Sequence, residues 1–370
     1  MSKIMPKITP LVFILILMAS NVFADNQTSN HITNLNPQIF SLSKANENSF
    51  DVASSIFVLS SENIRRSGAT SIPEALRLVP GLQVAKIDGH KWAISARGFN
   101  GQFSNKLLIL IDGRAIYTPL FSGAFWDVQD YPLEDIEKIE VIRGSGGTIW
   151  GANAVNGVIN IITKNPIDTQ GVYSSIVVGN QDQLATIRYG GKTTKHNHYR
   201  LYVTKRDSNS LNNIKNNNSN NDGYRQSQAG FRYDIRSIAS NNIAISGDIR
   251  SGTADNYFDS ALLNNVSEKN SRGGNLLVNW QKTISPKSNF MLQSYLDYDQ
   301  FAGSVLKRDG KTADVDFQHF YNPNNNHQIT WGLGYRFIQD VIKEAALKNG
   351  TTILDYTPNS QNNSIASTFL

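Results

Sequence analysis

Beyond Gly171 the chain alternates apolar and polar residues in runs of about ten, and this period of two is the feature that most constrains its fold. Phe231, Tyr233 and Ile235 oppose Gly230, Arg232 and Asp234; Ile243, Ile245 and Ile249 oppose Ser246, Asp248 and Arg250. Leu276, Val278 and Trp280 oppose Asn279 and Gln281, and Ile329, Trp331, Leu333, Tyr335 and Phe337 oppose Gln328, Thr330, Gly332, Gly334 and Arg336. The connections alternate too. Residues 207–223, 253–271 and 338–361 are long; 236–242, 285–287 and 321–326 are short; 300–310 is intermediate. A soluble sheet would bury its apolar face in a core and tend to connections of similar length. Short turns on one rim and long loops on the other are the pattern of a transmembrane barrel, and Tyr199, Tyr233, Tyr298, Phe320 and Tyr335 near strand ends suit its interface girdles. About ten strands are expected over residues 171–370, the last cut at Phe369–Leu370.

No run of eighteen apolar residues follows residue 24, so membrane insertion there must use strands rather than helices. The N-terminus carries Lys3 and Lys7, then the apolar run Leu11–Ala19, then Val22-Phe23-Ala24, which together predict a secretory signal peptide over residues 1–24 with cleavage after Ala24. The chain has no Cys, which excludes disulfides, thiolate catalysis and Cys-based zinc sites. Its net charge of +5 is mild for 370 residues and is not gathered on one element, so no nucleic-acid partner is expected.

Residues 25–53 are rich in Asn, Ser and Gln without periodicity and predict a flexible N-terminal tail. Residues 54–165 predict a compact α+β domain. Ser60 to Arg66 forms a short helix that stops at Gly68, and Ser71-Ile-Pro-Glu74 starts another with a hydroxyl cap, an early Pro and a Glu three residues on. Strands are expected at 54–59, 82–87, 92–97, 106–111, 139–142 and 158–163, with Asp112-Gly113 turning the fourth of these back into Arg114–Tyr117.

Catalytic and metal signals are weak. Gly146 and Gly151 have phosphate-loop spacing, but Ala152 stands where the Lys is required, so the glycines serve the backbone instead. His196 and His198 flank a predicted turn and read as exposed turn residues; no metal site, cofactor or catalytic residue is expected, and the chain does not read as an enzyme.

The segment from Ser54 to Asn165 resembles the plug domain of TonB-dependent outer-membrane receptors. The resemblance rests on Asn63–Val84, Ser95-Ala-Arg-Gly-Phe-Asn100, Leu110-Ile-Asp-Gly-Arg114, Tyr117-Thr-Pro119 and Ile136–Lys164, several motifs in one order. It implies an α+β plug domain followed by a partial antiparallel transmembrane β-barrel, in a family whose full barrel has 22 strands. At about 20 residues per strand and loop, the stretch after Lys164 supplies less than half of such a barrel, so the chain is expected to be a fragment or truncated product that does not transport alone. The resemblance further implies active uptake of a metal chelate such as a ferric siderophore or cobalamin across the Gram-negative outer membrane. The partners would be TonB with ExbB–ExbD in the periplasm, outer-membrane lipid and the extracellular chelate.

Under that resemblance the ligand-facing candidates are Arg97, Phe99, Asn100, Arg114, Tyr117, Phe121 and Trp126, because guanidinium groups and rings suit an anionic or conjugated chelate. For Arg97 and Arg143 the favoured reading is buried structural charge paired with carboxylates; for Tyr117, Phe121 and Trp126 ligand contact and core packing are evenly weighted. The TonB-interacting candidate is Gln38-Ile39-Phe40-Ser41-Leu42-Ser43, with Ser49–Ala53 as a second, since strand addition needs backbone more than side chains. A secreted or surface β-rich binding or adhesion protein is the alternative.

Overall fold

The computed structural model describes residues 38–39, 47–48, 55–118, 120, 123–144, 150–151, 153–237, 241–255, 269–303, 306–324, 327–344 and 359–370. The predicted signal peptide, most of the tail and the glycine-rich residues 145–149 lie outside these. Near the start, β1 (Gln38–Ile39) pairs antiparallel with β2 (Glu47–Asn48).

The α+β part contains β3 (Ser55–Ser60), α1 (Ser61–Ser67), α2 (Ile72–Leu76), β4 (Leu82–Lys86), β5 (Trp92–Ala96), β6 (Leu107–Ile111), β7 (Arg114–Ala115), β8 (Ile136–Arg143) and β9 (Gly157–Thr163). Local chemistry sets the helix ends. Ser60 Oγ accepts the Asn63 amide of α1, which stops at Gly68 in the left-handed region. Ser71 Oγ accepts the Glu74 amide of α2, and the Glu74 carboxylate reaches back to the Thr70 amide at 2.8 Å. Five strands form a sheet in the order β3-β8-β9-β6-β7, while β4 and β5 form a separate hairpin. The all-apolar β6 runs parallel to β9 and is buried along its whole length, as its sequence requires. Asp112 and Gly113 both take positive φ (49° and 86°), the geometry of a tight primed turn, but the returning strand is only Arg114–Ala115. Leu59, Ile64, Leu76, Ile94, Ile109, Ile139 and Ile159 fill one core, each worth roughly 1.5–3 kcal/mol of transfer free energy.

The rest is one antiparallel sheet of ten strands in sequence order: β10 (Gly171–Val178), β11 (Asp182–Lys192), β12 (His198–Ser208), β13 (Tyr224–Ser237), β14 (Asn241–Ala254), β15 (Lys269–Ser285), β16 (Ser288–Ala302), β17 (Leu306–Asn324), β18 (His327–Glu344) and β19 (Ser360–Phe369). The sheet is not closed; β10 and β19 are its edges. One rim carries the connections 193–197, 238–240, 286–287 and 325–326; the other carries the long 209–223, 255–268 and 345–359 together with the short 179–181 and 303–305. The connection expected to be intermediate is short, 303–305, because β16 and β17 extend into it.

Side-chain polarity is inverted relative to a soluble sheet. Thr186, Arg200, Thr204, Arg206, Gln228, Asp248, Arg250, Arg308 and Gln318 are buried on the face that meets the α+β part, whereas Ile187, Leu201, Val203, Ile249, Leu296 and Leu333 are 50–69% exposed on the other. That is a lipid-facing wall around a folded polar-edged plug, and it removes the premise of a soluble sandwich. Of the girdle candidates, Tyr199, Tyr233, Tyr298 and Tyr335 lie on the outward face, but Phe320 is buried on the inner one. The reason is parity: outward Val315 puts His319 and Tyr321 outward and Phe320 inward.

Replacing Leu333 by Arg should destabilise the inserted sheet by about 2–4 kcal/mol at mid-bilayer. The expected result is a lower fraction of compact, heat-modifiable protein after reconstitution into lipid vesicles.

Candidate functional site

The plug touches the wall mainly through charge. The acidic stretch Asp127–Asp135, wound on two 3-10 turns (Trp126–Val128 and Leu133–Asp135), supplies three carboxylates. Lys269 Nζ lies 3.1 Å from Asp127; Arg206 Nε lies 3.0 and 3.1 Å from the two Asp130 oxygens; Asp135 takes Arg188 at 2.6 Å and Arg200 at 3.3 Å. Strand alternation presents these cations: Arg200 and Arg206 share the inner face of β12 because the offset between their positions is even. Farther along the sheet the signs reverse: Arg114 of the plug pairs with Asp297 on β16, and Tyr131 donates to Asp248 on β14. Asp248 also accepts from Asn275 at 2.7 Å. Arg232 on β13 grips the end of β9, donating to Thr163 O at 3.1 Å, Thr163 Oγ1 at 3.0 Å and Asn165 Oδ1 at 3.0 Å, with Asp234 beside it.

Burial pushes the Tyr131 phenol far above its usual range, and the adjacent Asp248 carboxylate pushes the same way, so Tyr131 stays protonated and keeps donating. Burial works against the Arg114 cation, but the Asp297 and Asp248 carboxylates outweigh it and raise its pKa. Arg114 therefore stays charged and tied to the wall.

Two further contacts lie at the long-connection rim. Asp222, at the foot of loop 209–223, accepts the Gly89 amide at 2.9 Å through Oδ2 and the Leu211 amide at 2.7 Å through Oδ1; its carbonyl oxygen lies 3.2 Å from His90 Nδ1. The approach requires glycine, since a Cβ at residue 89 would sit 2.1 Å from the Asp222 carbonyl oxygen. Beside it Phe125 packs edge-on to Phe103 (5.3 Å) and Phe301 (5.6 Å), with Lys269 Nζ 4.5 Å from its centroid. Between plug and wall, a polar cleft of about 610 Å³ is lined by Asp112, Lys138, Arg232, Arg236, Gln281 and Gln293.

The sequence-derived candidates separate into two groups. Arg97, Phe99 and Asn100 stand together on an exposed loop, with Arg97 and Phe99 at φ of 59° and 56° and Lys106 Nζ 3.8 Å from the Phe99 ring. Arg114 is buried in its ion pair, Trp126 is in the plug core, and Tyr117 is half-buried. Phe121 lies outside the described residues, as do Phe40, Ser41, Leu42 and Ser43; Gln38 and Ile39 form β1. The expectation that Arg97 and Arg143 are buried against carboxylates is corrected. Arg97 is exposed and donates to the Arg143 carbonyl at 3.2 Å; Arg143 is half-buried and donates to the Pro80 carbonyl at 2.9 Å. Neither guanidinium is fully buried, so water and a backbone carbonyl suffice where a buried one would need a carboxylate. His196 is exposed as expected, but His198 opens β12 and is buried. Sequence reasoning missed Asp127, Asp130, Asp135 and Asp222; the acid-rich spelling of 127–135 is the one signal that marks any of them.

Residues 48–158 match the family model described as the TonB-dependent Receptor Plug Domain. The vitamin B12 transporter BtuB of Vibrio vulnificus is 35% identical over 135 residues, 36% of this chain and 21% of that protein. The corresponding transporter of Photobacterium profundum is 34% identical over 146 residues, 40% of this chain and 23% of that one. Among solved structures, the pyoverdine outer membrane receptor FpvA of Pseudomonas aeruginosa PAO1 superposes with a TM-score of 0.67 at 14% identity, covering 89% of this chain and 55% of that one. The ferric yersiniabactin uptake receptor FyuA of Yersinia pestis gives 0.63 at 16%, covering 78% and 49%. The match thus spans about a fifth of the curated relatives and about half of the solved receptors.

Asp130→Ala strands Arg206 in a buried site and should cost about 3–5 kcal/mol, whereas removing both partners together should cost less. Hydrogen exchange of the 126–135 amides in the two variants measures the difference.

Proposed function

The chain belongs to the TonB-dependent outer-membrane receptors, and on that premise we propose that it serves the energised import of a metal chelate, of the ferric siderophore or cobalamin class. What supports this most is the plug itself: a separately folded domain held against the inner face of a lipid-facing wall by paired charges such as Arg206–Asp130 and Arg114–Asp297. An interface made of ion pairs and hydrogen bonds exchanges its partners for water at modest net cost, unlike a fused apolar core. A stopper that has to shift and return needs that property. The relatives named above are vitamin B12 transporters and receptors for ferric yersiniabactin and pyoverdine, which supports the same class of cargo.

In this reading residues 1–24 export the chain to the outer membrane and are removed, 25–53 form the tail, 54–165 the plug and 171–370 the wall. The chelate arrives from outside. Arg97, Phe99 and Asn100 offer a cation, a ring and an amide to it, with Tyr117 at the margin and Arg114 and Trp126 supporting the surface from within; Phe121 remains a candidate from its sequence alone. Loop 209–223, tied by Asp222 to the 88–91 turn, links events in the long connections to the plug. Gln38–Ser43 then offers its backbone to TonB, energised by ExbB–ExbD, and traction on the tail rearranges the plug. The chain's own groups supply binding and motion; no bond-making step is assigned to them.

In the complete receptor, deleting residues 38–53 should abolish TonB-dependent uptake of labelled ferric siderophore or cobalamin, whichever supports growth, and leave surface binding intact. Unchanged uptake would defeat the assignment of the tail. Replacing Arg97, Phe99 and Asn100 together by Ala should weaken surface binding by about tenfold or more, the loss of roughly one charge-assisted contact.

A further inference from the structure

We propose that the outer wall carries a binding site for the phosphate groups of an anionic lipid, formed by Lys307, Lys311 and Lys343 with Arg272 beside them. The proposal rests on the membrane reading of the sheet given above. Three observations carry it.

The first is height. On β17 the outward residues from Tyr321 to Ala313 are Tyr, His, Phe, Val and Ala, nine positions of a strand, and on β18 the outward residues Ile329 to Phe337 are all apolar. A tilted strand needs about 9–11 residues to cross the hydrocarbon. Lys311 is therefore the first outward residue beyond the apolar band on the long-connection side, and Lys307 and Lys343 follow it. Those positions fall at the level of lipid headgroups.

The second is the absence of internal neutralisation. The inward cations Arg188, Arg200, Arg206, Lys269, Arg308 and Arg336 all have carboxylate partners. Arg272, Lys307, Lys311 and Lys343 are exposed, and none has an ion pair among the described residues. Asp309, between Lys307 and Lys311 on the same outward row, accepts from Gln300 Nε2 at 2.6 Å and the Tyr298 hydroxyl at 3.3 Å, and one carboxylate among three lysines leaves this patch a net positive charge.

The third is a direct clash of sign. Lys307 and Lys343 are cross-strand partners in the β17–β18 ladder. Like charges directly opposite each other are destabilising unless an anion lies between them. A phosphate bridging the two ammonium groups, with Lys311 farther down the same outward row of β17, converts that repulsion into charge-assisted hydrogen bonds. On the other rim the outward strand residues among those described offer one comparable cation, Lys282, which faces Asn241 and Phe290 rather than a second lysine.

The test uses the full chain purified in non-ionic detergent, with micelles doped with phosphatidylglycerol or phosphatidylcholine and retained lipid counted by native mass spectrometry. Each cation near a charged surface is worth roughly fivefold in affinity, so K307Q/K311Q/K343Q should lose phosphatidylglycerol on the order of a hundredfold. Lys→Arg at the three positions should retain it, phosphatidylcholine should bind weakly throughout, and K282Q should behave as the unaltered chain. Equal retention by the triple Gln variant, or an equal loss in K282Q, overturns the site. Displacement of the lipid by millimolar inorganic phosphate also overturns it, by assigning the lysines to a free anion. If the unaltered chain retains neither lipid and stays soluble without detergent, the membrane reading itself fails, and that result is distinct from the loss of the lysine site alone.

Discussion

A guanidinium taken out of water must find a carboxylate, and the geometry of this molecule follows from how that demand is met. The wall has already committed its apolar side chains to the outside. Apart from the patch where Phe301 and Ala254 meet Phe125, it has little apolar surface left with which to hold a second domain. What remains for the inner face is polarity, and buried polarity holds only when matched. Asp127, Asp130 and Asp135 on one side and Lys269, Arg206, Arg188 and Arg200 on the other supply the match, and Arg114–Asp297 repeats it with the signs exchanged. The apolar core of the plug is thereby left to stabilise the plug alone, so its fold and its attachment rest on different forces.

Much of the architecture is legible without coordinates. Alternation along the strands, the unequal connections and the Ser60 and Ser71 caps are local signals, and local signals survive in a linear text. Pairing across distance does not. Arg206 meets Asp130 over 76 residues and Arg114 meets Asp297 over 183. No spacing rule reaches that far. The same limit explains why Arg114 reads as ligand-facing and proves to be an anchor: a two-residue strand has too little period to reveal which way its side chains point. Arg97 and Arg143 fail for another reason. A buried cation seeks an acid, but both groups lie near turns whose carbonyl oxygens are free to accept.

Parity proves the most sensitive quantity. Phe320 reads as outward from its type and its nearness to a strand end, yet one residue's displacement sends it inside, where it is buried. His319 takes the outward position instead. Its Nδ1 lies 3.0 Å from the Trp331 indole nitrogen and its Nε2 2.8 Å from Ser288 Oγ. An indole N–H can only donate, so Nδ1 is the acceptor in that contact. The rings of Phe290, Phe317 and Trp331 pack in a row beside it, with centroids 5.8 and 5.5 Å apart.

The contact between Gly89 and Asp222 has a consequence for how such a molecule can diverge. The tie fixes the base of the Asn-rich segment, while Ile214 at its tip is fully exposed. Drift in the tip is therefore decoupled from drift in the anchor. A lineage can rewrite what the segment meets outside, residue by residue, without reopening the question of how the segment is moored, and glycine at position 89 is the toll for that freedom.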